Sequence, residues 1–143
     1  MTGPGADQRG HAPAVEAAII LPALVLVIGL LIVVARLVVA DQAVMAAAGQ
    51  AARAASIERS VAGARAAASA AVADGLAARN VVCRSQSLAI DASGLQAPLG
   101  TPGSVRVEVT CVVELADVTL PGFPGTRTVT AMGTSAVDTY RQR

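Results

Sequence analysis

The stretch AAIILPALVLVIGLLIVVA, residues 17–35, holds no charged or polar side chain and is closed by Glu16 on one side and Arg36 on the other. A helix rises about 1.5 Å per residue, and a hydrocarbon core of about 30 Å takes roughly 20 residues to cross. The run matches that length, so it is read as a transmembrane helix over residues 16–36. A fully buried helix of a soluble domain is the alternative. With one Phe, one Tyr and no Trp in 143 residues, the chain has little with which to build a shell around nineteen apolar side chains.

Pro22 and Gly29 lie inside the run. An interior proline removes a helical hydrogen bond, but membrane helices tolerate it where neighbours satisfy the freed carbonyl, so a kink or local melting is expected near Pro22. A cleaved signal peptide is the second alternative. Its apolar core would be shorter and its leading region basic, whereas Glu16 abuts the core here, although Val38, Val39 and Ala40 before Asp41 are like a small-residue cleavage site.

Charge counting does not orient the span: Arg9 is offset by Asp7 before it, and Arg36 by Asp41 after it. The cysteines do. Cys83 and Cys111 both follow the span, form no CxxC pair and have no His near them, so they read as one disulfide in an oxidising compartment. Two free, buried cysteines are the alternative. The consistent topology is a single-pass protein of the cell membrane, with residues 1–15 a cytoplasmic leader and the C-terminal part extracytoplasmic. The lipid bilayer is then its first partner.

Beyond the span, residues 37–80 are dominated by alanine and contain no proline, which predicts a helical stalk. Ile57, Val61, Ala64, Ala68, Val72 and Leu76 follow helical spacing and form its expected apolar stripe. A helix unbroken to Arg79 would be implausibly long, so an interruption is expected between Ser56 and Gly63 or at Gly75. Residues 81–143 change period. Val105, Val107, Val109, Cys111 and Val113 alternate with polar residues, which predicts a half-buried strand. Residues 81–91 and 126–138 are two further strand candidates, separated from the first by the Gly/Pro-rich loop 92–103 and the turn LPGFPG at 120–125. The fold class is therefore α+β: an N-terminal transmembrane helix continuing into an Ala-rich helix, then a small three-stranded antiparallel sheet.

If Cys83 stands opposite Cys111, then Ser85 faces Val109, Ser87 faces Val107 and Ala89 faces Val105. Leu88 and Ile90 then point away from the valines, which requires a bulge or a second packed face. A link across 28 positions constrains the unfolded chain by about 3 kcal/mol on the loop-entropy estimate.

Catalytic chemistry finds little footing. All eleven basic residues are Arg, which excludes a Walker A loop and lysine-based mechanisms. His11, the sole histidine, precedes the span, away from most Ser and Asp residues, so neither a triad nor a zinc site is expected. Glu108 and Glu114 with Asp117 could pair as carboxylates, but alternation puts the glutamates on a polar strand face. A net charge of +1 and the scarcity of aromatics argue against nucleic acid. No catalytic residue, metal ligand or cofactor is expected.

Glu16 is the residue whose position costs most, because a carboxylate beside an apolar core needs a headgroup or a cation. The stretch Arg9, Gly10, then Ala14, Val15, Glu16, Ala17, Ala18, Ile19, Ile20, Leu21, Pro22 resembles the N-terminus of TadE-like proteins, minor pseudopilins of tight-adherence (Flp-type) pilus systems. Glu16 and Pro22 have the family's six-residue spacing, and the Ala-rich DQAVMAAAGQAARAAS, the Cys pair, the valine strands and VDTYR are similar in architecture. Three departures stand beside this: Ala17 occupies a place where the family usually has Phe or Tyr, Glu16 is the sixth residue after Gly10 rather than the fifth, and His11 stands where the fifth-position rule would put a small residue.

The resemblance implies assembly. It implies a prepilin peptidase acting around Gly10, His11 and Ala12 at the inner membrane face, and other pilin or pseudopilin subunits and the assembly platform as partners. It implies that Glu16 neutralises the new N-terminal amine of a neighbour, and that the protein acts in pilus assembly or initiation. Two rival readings are a generic membrane-tethered extracytoplasmic binding domain and a secreted small disulfide domain cleaved after Ala40.

Overall fold

A computed structural model describes residues 11–114 and 125–140. The predicted turn 120–125, except for Gly125, lies outside the described residues, as do Gly10, Asp117 and most of the leader. The elements run α1 (His11–Ser56), α2 (Val61–Ala77), β1 (Cys83–Asp91), a short 3₁₀ turn (Ser93–Gln96), β2 (Gly103–Glu114) and β3 (Thr126–Val137). The chain divides into two compact units, Met1–Ala35 and Arg36–Arg143.

In the first unit α1 is helical throughout its described length, and Pro22 does not interrupt it. The expected melting at Pro22 is therefore absent. Proline supplies the helical φ itself and sacrifices one N–H, so the chain can stay helical with only the Ala18 carbonyl short of its i+4 donor.

In the second unit, residues 36–56 of α1, the helix α2 and the sheet share one core. Ala43, Val44, Ala47, Ala48, Ala51, Ala52 and Ala55 of α1 are fully buried, recurring in three- and four-residue steps. The largest fully buried side chains are Val44, Val72, Val105, Val107, Val109 and Cys111. A core of Ala and Val has little bulk per side chain, so it reaches interior density only if backbones come close. They do. A Cβ built on Gly75 of α2 would lie 3.3 Å from the Ala47 Cβ, and one on Gly133 of β3 would strike the Ala48 carbonyl oxygen.

The helical segment breaks between Ser56 and Val61. Ser60 caps α2, its hydroxyl accepting from the Gly63 N–H at 3.0 Å. Gly75, the other candidate break, stays helical and packs on α1. Ala64, Ala68, Val72 and Leu76 form the buried stripe as expected, but Ile57 is 80% exposed. The break takes Ile57 out of helical phase with the residues that follow, so it drops out of the stripe. At the far end Asn80 adopts φ 53°, and the N–H groups of Val81 and Asn80 donate to the Leu76 and Ala77 carbonyls. This left-handed turn satisfies the last carbonyls, and Arg79 Nη1 adds a bond to the Gly75 carbonyl at 3.1 Å.

The sheet is an antiparallel meander in the order β1-β2-β3. Its register differs from the one expected. Cys83 stands opposite Val113, not Cys111, and the pairing slips between Cys83 and Ser85, so that Gln86 faces Cys111, Leu88 faces Val109 and Ile90 faces Val107. The extra residue at the bulge switches which alternate positions face inward. Leu88 and Ile90 thereby join the valines of β2 on the core side, and Ser85, Ser87 and Ala89 move to the outer face. Cys83 and Cys111 are joined diagonally across the bulge, with Cα atoms 5.4 Å apart.

Between β1 and β2 the chain turns through a close backbone crossing in which Gly94 and Gly103 leave no space for a Cβ on either. The Asp91 carboxylate accepts from the Ser93 N–H at 3.1 Å, and hydrogen bonds from Ser93 hold its pKa below the ordinary 3.8. A depressed folded-state pKa contributes stability above the unfolded value and loses it as pH falls through the folded one. An NMR titration should place the Asp91 midpoint below 3.8, and Ser93→Ala should raise it.

Candidate functional site

The apolar segment of α1 presents its side chains outward. Ile19 to Ile32 includes Ile19 at 69% and Val25 at 66% exposure, where a core helix of a soluble protein would be mostly buried. Among the described residues this is the one helix long and apolar enough to cross a membrane, with a mean hydropathy of 3.2 over its most apolar window. Such a surface loses free energy in water at about 25 cal/mol per Å², so it needs lipid or other apolar helices around it.

Glu16 opens this segment. It lies on α1 and is exposed, six residues before Pro22, and the helix between them puts less than two full turns between the carboxylate and the proline. The absent Pro22 N–H leaves the Ala18 carbonyl open to a donor from a neighbouring helix. A Cβ on Gly29 would meet nothing within 4 Å, so that position is open for close helix approach. Of the three residues around the expected processing point, His11 and Ala12 begin α1, while Gly10 lies outside the described residues.

The remaining sequence candidates lie in the second unit. Glu108 and Glu114 lie on the outer face of β2, and Glu114 pairs with Arg84 across the bulge at 3.5 Å, so these acids do not form a dyad. No group of three or more His, Cys, Asp or Glu side chains is placed to hold a metal among the described residues.

These features coincide with a family signature. Residues 13–53 match the TadE-like protein family. The matched segment holds Glu16, Pro22, the whole apolar run and the buried alanines of α1 up to Ala52. No curated protein and no solved structure matches the chain. The match over this segment and the candidate span together support a membrane protein related to tight-adherence pilus systems. Sequence reasoning missed Gly133, for which an isolated glycine within a Thr/Val strand pattern is the available signal.

The disulfide adds a measurable term. Cys83→Ser with Cys111→Ser should destabilise the second unit by about 3 kcal/mol. Urea unfolding of detergent-solubilised protein, followed by tryptic cleavage at Arg, would show the lower midpoint, and dithiothreitol should reproduce it in the unmodified protein.

Proposed function

We propose that this protein is a non-enzymatic TadE-like minor pseudopilin that acts in assembling or initiating a tight-adherence pilus. The observation that carries the reading is the placing of the TadE-like match over Glu16, Pro22 and an exposed apolar helix. A single-pass anchor with a carboxylate at its edge and open carbonyl and glycine positions is built to pack against like helices in a membrane, where polar groups need partners. The disulfide supports an extracytoplasmic second unit and a cytoplasmic leader, since such bonds persist in oxidising compartments. A prepilin peptidase acts on the leader around Gly10, His11 and Ala12, and the partners are other pilin or pseudopilin subunits and the assembly platform.

N-terminal sequencing and intact mass of the protein recovered from membranes and from sheared pili test this. An N-terminus at His11 or Ala12, with the protein present in or required for pili, is the expected result. An N-terminus at Asp41 in a secreted form overturns it, as does normal piliation in a strain lacking the protein.

A further inference from the structure

Strand β1 is an edge of the sheet, and its outward side has no strand partner among the described residues. The opposite edge, β3, is pressed onto α1 through Gly133. Beneath β1 a cavity of roughly 430 Å³ opens instead, lined by Leu88, Ala89 and Ile90 of the strand and by Arg65 of α2. Leu88 and Ile90 lie on the core face of the sheet yet are only half buried, so the apolar floor at this edge is incompletely covered. Arg65 is exposed and makes no hydrogen bond or ion pair among the described residues.

A helix beside an open strand edge, with a cation and two aliphatic side chains between them, fits one kind of ligand. We infer that the groove between β1 and α2 takes up an extended peptide segment of a partner protein, which adds to β1 as a fourth strand and places a carboxylate against Arg65. Main-chain bonds to the edge supply sequence-independent affinity. Side chains of an added strand alternate, so its inward set lies two residues apart, with a Glu or Asp at Arg65 flanked by aliphatic residues over Leu88 and Ile90. The guanidinium fork favours a carboxylate in that slot and disfavours a cation. The carboxylate supplies the counter-charge that no described residue gives Arg65, which selects an acidic segment. This chain's own other edge strand, β3, carries Arg127 and no acid, so a second copy added through β3 fits less well.

The probe is a capped synthetic peptide with a Thr-Val-Thr-Glu-Thr-Val-Thr core, alongside a version with Lys in place of Glu, added to the ¹⁵N-labelled full chain in detergent micelles. The Glu peptide is expected to shift the amides of residues 85–91 together with Arg65, and to bind about tenfold more tightly than the Lys peptide. Arg65→Glu, a substitution at an exposed helical position, should reverse that preference while Arg65→Lys retains it. Shifts at Arg65 without shifts along β1 would show a simple anion contact and overturn strand addition. Equal affinity for the two peptides, shifts along β3, or no shift with the peptides at about 1 mM would overturn it as well. None of these outcomes bears on piliation, so the proposal stands or falls separately from the pseudopilin reading.

Discussion

Gly133→Val is expected to unfold the second unit of the protein at temperatures where the unmodified chain is folded. Gly133 sits on the core face of β3, opposite Val107, and any Cβ there strikes the Ala48 carbonyl and the peptide that follows it. The obstacle is helix backbone, so no rotamer change relieves it; β3 must lift away from α1 and open a gap along the alanines that it covers. Overpacking a core costs about 1–3 kcal/mol, and a forced backbone separation belongs to the upper tail of single substitutions, on the order of 4 kcal/mol. Against a typical total of about 5–15 kcal/mol, that is a large share. Pulse proteolysis in urea reads it directly, because trypsin has only Arg sites in this chain and several, including Arg84 and Arg106, lie within the sheet. Gly49→Ala is the control. It changes a neighbouring residue of the same helix where a Cβ meets nothing within 4 Å, and it should raise stability by about 0.5–1 kcal/mol through helix propensity. A similar midpoint for Gly133→Val and the unmodified protein would show that the close helix–sheet approach is not what holds this core together.

Patterns that repeat along the chain are legible in the sequence, and contacts between elements are not. The apolar run and the Val105 to Val113 alternation each repeat with the period of one element, so they are legible from neighbours along the chain. The register of β1 was not. A one-residue bulge at Arg84 switches the inward positions that follow it from Ser85, Ser87 and Ala89 to Leu88 and Ile90, and bulges leave no periodic trace. The clue was energetic: two aliphatic residues left on the wrong face called for an irregularity. Ile57 was misplaced for a related reason, since the helical stripe was carried through a capped break that resets its phase. In the candidate site, Glu16 and Pro22 were readable because both lie on one helix and their spacing is a property of the chain. The groove at Arg65 joins residues of α2 and β1 whose proximity depends on how the hairpin of helices meets the sheet, and no local pattern encodes that.

Glu16→Ala should leave the protein in the membrane but remove it from assembled pili. Insertion depends on the apolar run at 17–35, and replacing a carboxylate at its edge with alanine makes the segment more apolar, so membrane fractionation should be unchanged. Assembly is different. A carboxylate retained beside a hydrocarbon core is costly unless a cation meets it, and on the pseudopilin reading that cation is the N-terminal amine of a neighbouring subunit. Removing one member of a buried ion pair strands the other, at about 3–5 kcal/mol, which is more than a hundredfold in an association constant. Glu16→Gln separates charge from shape: it keeps hydrogen-bonding capacity but cannot neutralise an amine, so it should fail nearly as completely as alanine, while Glu16→Asp should retain part of the activity. The measurement is the amount of the protein in sheared pili relative to the membrane fraction, alongside total piliation. Unchanged incorporation of the Glu16→Gln protein would remove the charge-pairing role and leave the helix packing around Pro22 and Gly29 as the means of assembly.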